Sequence, residues 1–179
     1  RLAPETKLPA IISDVEDAFK WIRKNGREKF QADTSKIAVL GGSAGGHLTF
    51  STGFRVKPPP TVLVAYWGYG DLIGPWLSQP SPHKRHQSRT LTPTEMRAVE
   101  AGPAVANSRD RKGNGGAYYQ TCRKLGIWPE KVSGFAEPDA KKFAPYMAAK
   151  NVSPKYPPTL MIHGTKDTDV PHEQSLLMT

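Results

Sequence analysis

An α/β fold built on a parallel sheet is predicted by three features of this 179-residue chain. Short apolar runs at 37–40, 61–66 and 159–162 have the composition of buried strands. A helix-spaced stretch precedes the first run, and a glycine-rich turn and a second helix-like run follow it. That α–β–turn–α order points to a parallel sheet covered by helices. About ninety residues then separate the second run from the third, too many for one crossover helix. They predict a helical cap inserted between two strands.

Taken in order, Ile11, Val15, Ala18 and Ile22 recur at helical spacing, joined by Ile12 and Phe19. Pro9 at the start and Gly26 past the end bound an amphipathic helix over 9–25, with one face expected on the sheet. The polar turn Asp33-Thr34-Ser35 feeds a strand at 36–41, and Pro58-Pro59-Pro60 precedes a second at 61–66. Within the cap, Thr92-Pro93-Thr94-Glu95 is a capping box that opens a short helix through Glu100. Gly116–Leu125 reads as another helix closed by Gly126, and Glu137-Pro138-Asp139 as the start of a third. A strand at 158–163 returns to the sheet. The expected division is core over 1–67, cap over 68–150 and core again over 151–179.

Composition narrows the function classes. One domain's length with 37% hydrophobic residues is enough to bury a core, although seventeen prolines and sixteen glycines make the chain loop-rich. No apolar run approaches the ~20 residues of a membrane span. The single cysteine, Cys122, cannot form an internal disulfide and reads as a packed thiol. It favours a reducing, cytoplasmic setting, with a lost leader ahead of Arg1 left open. Net charge is +9, and thirteen Lys and Arg against seven Asp and Glu between Gly68 and Lys150 carry +6 of it. The cluster His83-Lys84-Arg85-His86-Gln87-Ser88-Arg89 has no interleaved aromatics, so a solvated basic face is expected and no nucleic acid. No cofactor and no metal are expected.

Chemistry is concentrated in Leu40-Gly41-Gly42-Ser43-Ala44-Gly45-Gly46-His47. Gly41-x-Ser43-x-Gly45 between a strand and a helix fits a nucleophile elbow, in which a φ > 0 backbone lifts the serine hydroxyl clear of both elements. Gly41 and Gly45 are expected to be small because strand and helix nearly touch. The N–H of Ala44 falls at a helix N-terminus, suited to stabilising an oxyanion. The third strand runs into His163-Gly164-Thr165-Lys166-Asp167-Thr168-Asp169-Val170-Pro171. Catalytic groups gather beyond the carboxyl ends of parallel strands, and Asp167 and Asp169 both lie there. A loop-capping role is the alternative for either aspartate and the one expected of Asp169.

Three blocks together resemble the hormone-sensitive-lipase-like and acetylxylan/feruloyl-esterase-like α/β-hydrolases. They are Arg1-Leu2-Ala3-Pro4-Glu5 with Pro9-Ala10 and Asp14; Gly41-Gly42-Ser43-Ala44-Gly45-Gly46-His47-Leu48; and His163-Gly164-x-x-Asp167-x-x-Val170-Pro171. The resemblance implies an α/β-hydrolase fold and a serine carboxylesterase acting on small-molecule esters. It implies Ser43 as nucleophile, Asp167 as the acid that orients a histidine, and Ala44 N–H as an oxyanion donor. Gly42 stands where lipase-type members carry an aspartate, which tilts the likeness toward the esterases. The family's His-Gly-Gly oxyanion loop precedes the first block, and its catalytic histidine follows the acid by a few tens of residues. The chain is accordingly expected to be a fragment, inactive alone. His47, His83, His86, His163 and His172 are not expected to supply the base. A prolyl-oligopeptidase-like peptidase and a non-catalytic binding protein are the alternatives.

Overall fold

The structure, a computed structural model, describes residues 1–136 and 139–179. Along the chain the elements are α1 (Leu8–Phe30), β1 (Ala38–Gly42), α2 (Ala44–Arg55), β2 (Val62–Tyr66), α3 (Pro75–Ser78), α4 (Pro93–Glu100), α5 (Gly115–Leu125), α6 (Trp128–Ser133), α7 (Ala140–Phe143), β3 (Thr159–Ile162) and α8 (Glu173–Leu176). They form two compact units: Arg1–Ile11 with Leu72–Phe143, and Ile12–Asp71 with Ala144–Thr179.

The second unit holds the sheet. Its order is β1-β2-β3, parallel throughout, with Leu40 opposite Val64 and Val64 opposite Leu160. Leu63 and Ala65 point to the covered face, where Phe50 of α2 and Ala148 form a buried cluster with Met161 and Met178 against it. The opposite face presents Leu40, 65% exposed, and Leu160, 54% exposed. Helix α1 is tied to the end of α2. Arg55 Nε donates to Glu16 at 2.7 Å, and the Arg23 guanidinium donates to the carbonyls of Lys57 and Pro58.

Helix α1 differs from the sequence expectation at its end. It continues through Gly26, where a Cβ would lie 2.9 Å from the Thr34 methyl, and stops before Gln31 in a left-handed conformation (φ 53°). Glycine ends helices when the chain must turn with positive φ. Here it admits the close approach of Thr34, so the helix is not broken.

The first unit is helical, with no strand among its described residues. The expected capping box is present: Thr92 Oγ1 accepts from Glu95 N, and Glu95 Oε2 accepts from Thr92 N. Helix α5 closes on Gly126 at φ 71° as expected. The helix expected to start at Glu137-Pro138-Asp139 falls partly outside the described residues; α7 follows at Ala140. Leu91, Met96, Val99, Tyr118 and Cys122 form the core of this unit. Burial pushes the Cys122 thiol up to about 12. The basic cluster is a solvated face only in part. Lys84, Arg85 and Arg89 are exposed, but His86 is fully buried, with Nδ1 2.7 Å from Ser81 Oγ. A neutral imidazole with a hydroxyl partner can enter a core, whereas its lysine and arginine neighbours keep their charge in water.

The Arg1–Glu5 block is anchored within this unit. Arg111 Nε donates to Glu5 Oε1 at 2.6 Å, its Nη2 donates to Glu5 Oε2 and to the Ala3 carbonyl, and Leu2 N donates to Val105 O. Burial alone would raise the Glu5 carboxyl, yet the Arg111 hydrogen bonds and charge hold it below its ordinary value. Removing one partner of a buried ion pair leaves the other charge uncompensated, at about 3–5 kcal/mol. Arg111→Leu is therefore expected to lower the urea midpoint clearly, and Glu5→Leu with Arg111→Leu to recover part of the loss. An unshifted midpoint for Arg111→Leu would refute the anchoring.

Candidate active site

The site is built at the carboxyl end of the sheet in the second unit. Ser43 sits between β1 and α2 at φ 54°, ψ −120°, a region costly for a residue with a Cβ and kept where surrounding structure over-determines it. The determinants are local. Ser43 N donates to Tyr66 O, and Ser43 O accepts from His47 N, the first turn of α2, both at 3.0 Å. Ala44 follows as the first, exposed residue of α2. Amides of the first helical turn have no intrahelical acceptor, so its N–H is available to a ligand.

Close packing at the turn explains the glycines, though not all as expected. A Cβ on Gly41 would lie 2.3 Å from the Gly45 carbonyl oxygen and 2.7 Å from Thr49 Oγ1. Gly45 itself has no atom within 4 Å of its Cβ position, whereas Gly46 would meet the Gly68 Cα at 2.6 Å. The expectation that Gly45 must be small is therefore corrected: the helix-side contact belongs to Gly46, against the loop after β2. The Gly-Gly pair following Ser43-Ala44 in the sequence was the available signal.

The β-ladder continues one step beyond the strands. Trp67, at φ 38°, donates its N–H to Ile162 O at 2.8 Å. Since Gly42, Tyr66 and Ile162 are in register, the next residues Ser43, Trp67 and His163 form a row across the sheet's end. Neighbouring strands are ~4.8 Å apart, which sets Ser43 and His163 backbones roughly 10 Å from each other.

The loop after β3 holds both aspartates. Asp167 Oδ1 accepts the amides of Asp169 (2.7 Å) and Val170 (3.1 Å), so Asp167 makes the loop-capping contacts that were the alternative for either aspartate. The second oxygen, Asp167 Oδ2, lies 3.8 Å from His163 Nε2, and the Asp167 side chain is 21% exposed.

Two of the histidines are enclosed here. His47 is buried, stacks on the Tyr69 ring at 5.1 Å and has Nδ1 3.2 Å from Tyr69 O. Burial lowers its pKa to about 4. His163 has Nδ1 2.7 Å from Ser175 Oγ and Nε2 2.9 Å from Val170 O, with the His172 ring edge-on at 5.6 Å. Among the described residues no group of three or more His, Cys, Asp or Glu could hold a metal ion, and no helix is long and apolar enough to cross a membrane.

Residues 1–176 match a family model described as alpha/beta hydrolase fold. Carboxylesterase 20 of Arabidopsis thaliana is 44% identical over 57 residues, covering 31% of this chain and 17% of that protein. A protein of unknown function from Staphylococcus aureus subsp. aureus Mu50 superposes with a TM-score of 0.73 at 22% identity, over 99% of this chain and 60% of that one. A hyperthermophilic esterase from the archaeon Pyrobaculum calidifontis does so with a TM-score of 0.59 at 24% identity, over 99% and 47%. The chain spans less than two thirds of the length of each.

Two outcomes are expected. Gly45→Ala should be tolerated or raise stability by about 0.4–1 kcal/mol, as alanine does where the backbone permits it. Gly41→Ala should cost at least the ~1–3 kcal/mol of overpacking; equal denaturation midpoints for the two would contradict the packing described. For His47, the folded-state pKa of about 4 lies below the ordinary 6.5. The unfolded state then binds the extra proton, so stability falls as pH drops from about 6.5 towards 4, by roughly 3 kcal/mol in all. His47→Gln should flatten that part of the stability–pH curve.

Proposed function

This chain belongs to the alpha/beta hydrolase fold family, and from that premise we propose that it carries the nucleophile and the acid of a serine carboxylesterase. In this reading Ser43 Oγ attacks the ester carbonyl carbon while a histidine takes its proton. The tetrahedral oxyanion is met by Ala44 N–H. Collapse expels the alcohol, protonated by the same histidine, and leaves Ser43 acylated; water then releases the acid by the reverse proton path. Asp167 fixes the imidazole tautomer and balances its transient charge.

The observation that carries the reading is Ser43 at φ 54° between β1 and α2, in the same end row as the loop bearing Asp167. The two-strand offset leaves room for an imidazole between hydroxyl and carboxylate. Asp167 spends one oxygen on loop amides and keeps Oδ2 for that ring. The base is assigned outside the five histidines: His47, His86 and His163 are buried or doubly engaged, His83 lies in the exposed basic loop, and His172 is only five residues from Asp167. Residues 1–179 expressed alone are accordingly expected to be silent.

The test is hydrolysis of a short p-nitrophenyl ester by the protein expressed from its complete reading frame. Ser43→Ala should cut kcat by roughly 10⁵–10⁶-fold and Asp167→Asn by roughly 10⁴-fold, as losses of triad members do. A fluorophosphonate probe should label Ser43 in the wild type and nothing in Ser43→Ala. Retained turnover in Ser43→Ala would rule out the nucleophile. Turnover by residues 1–179 that is lost in His83→Ala or His172→Ala would reassign the base. No hydrolysis of any ester by the complete protein would favour a binding protein.

A further inference from the structure

We propose that His163 is a positioning residue for the acid: its imidazole clamps the loop that presents Asp167 Oδ2 to the catalytic base. The inference rests on the reading of Asp167 as acid. His163 follows β3 directly, and its side chain is 1% exposed. A backbone carbonyl can only accept a hydrogen bond, so the 2.9 Å contact with Val170 O puts the ring proton on Nε2. In the neutral ring Nδ1 is then the lone-pair nitrogen, placed to accept the Ser175 hydroxyl proton at 2.7 Å. The two contacts select one tautomer, and they reach two different parts of the chain: the loop at Val170 and helix α8 at Ser175.

The clamp meets the acid at a single residue. Val170 is held by its carbonyl from His163 and by its amide from Asp167 Oδ1, at 3.1 Å. Fixing Val170 thus fixes which oxygen of Asp167 is consumed by the loop and which remains free. The ring also stands 3.8 Å from that free oxygen with its N–H side, beyond a hydrogen bond but oriented to favour the carboxylate's charge. His172, edge-on to His163, is the other titratable ring contacting it. A loop held only by Asp167's own amide bonds would leave the carboxylate able to rotate with the turn. A positional error of about 1 Å in such a group costs ~10²-fold in rate.

The experiment uses the protein from its complete reading frame and compares His163→Phe, His163→Gln and Ser175→Ala on a p-nitrophenyl ester, with kcat, KM and the pH profile of kcat/KM. Phenylalanine fills the space without either polar contact; the glutamine amide can still donate to Val170 O. His163→Phe is expected to lose roughly 10²-fold in kcat with KM little changed, and Ser175→Ala a smaller factor. His163→Gln should recover most of the loss. A carboxylate close to the base raises the base's pKa, so displacing it moves the acid limb of the profile to lower pH. That shift should appear in His163→Phe and Ser175→Ala, and not in His163→Gln. A wild-type kcat in His163→Phe overturns the clamp. So does an equal loss in the phenylalanine and glutamine variants with an unmoved acid limb, which would make the residue structural only. Asp167→Asn separates the two levels. If it stays active, the acid reading fails; if it loses roughly 10⁴-fold while His163→Phe is normal, only the clamp fails.

Discussion

Everything at the carboxyl end of the sheet depends on one steric condition: strand β1 and helix α2 pass each other at backbone distance. A side chain on Gly41 would stand 2.3 Å from a carbonyl of the helix. Only with that distance short can the intervening chain reverse in two residues, and only a left-handed residue can make the reversal. Ser43 is that residue. Its amide is spent on β2 and its carbonyl on α2, so neither backbone group competes for the space in front of the hydroxyl. The strain at one φ is thereby carried by hydrogen bonds to two elements.

Parallel pairing then does the rest. Three strands running the same way deliver three loops to one edge, and the register fixes their sequence across it: Ser43, Trp67, His163. An antiparallel neighbour would have sent one of those loops to the far end. The second tight contact, Gly46 against Gly68, draws the middle loop against the start of α2, and His47 holds that loop by the Tyr69 carbonyl. The elbow and its neighbour are therefore one packed object.

Much of this was legible in the residues. Strand positions, the parallel order, the capping box at Thr92, the left-handed end of α5 at Gly126 and the positive φ of Ser43 all follow from local patterns whose energetics are local. Other features were not legible because their cause lies elsewhere in the chain. Gly26 stays helical because Thr34 folds back on it. Gly46, not Gly45, is the tight position, since what it meets is twenty-two residues away at Gly68. His86 is buried inside a run of exposed cations because Ser81 supplies a partner. Trp67 adopts φ 38° with no glycine or asparagine to announce it. The carboxylate of Asp167 caps the amides of Asp169 and Val170, a contact that the spacing of the two aspartates in the sequence does not announce.

Cys122 gives the helical unit a property of its own. It is the chain's single thiol, 1% exposed, and its proton is held far above the ordinary range by burial. The thiolate is the reacting species in alkylation and disulfide exchange, so in the closed unit this sulfur is chemically silent. It becomes reactive when Leu91, Met96, Val99 and Tyr118 separate around it. The rate at which a thiol reagent consumes the protein is thus a clock for the opening of that core.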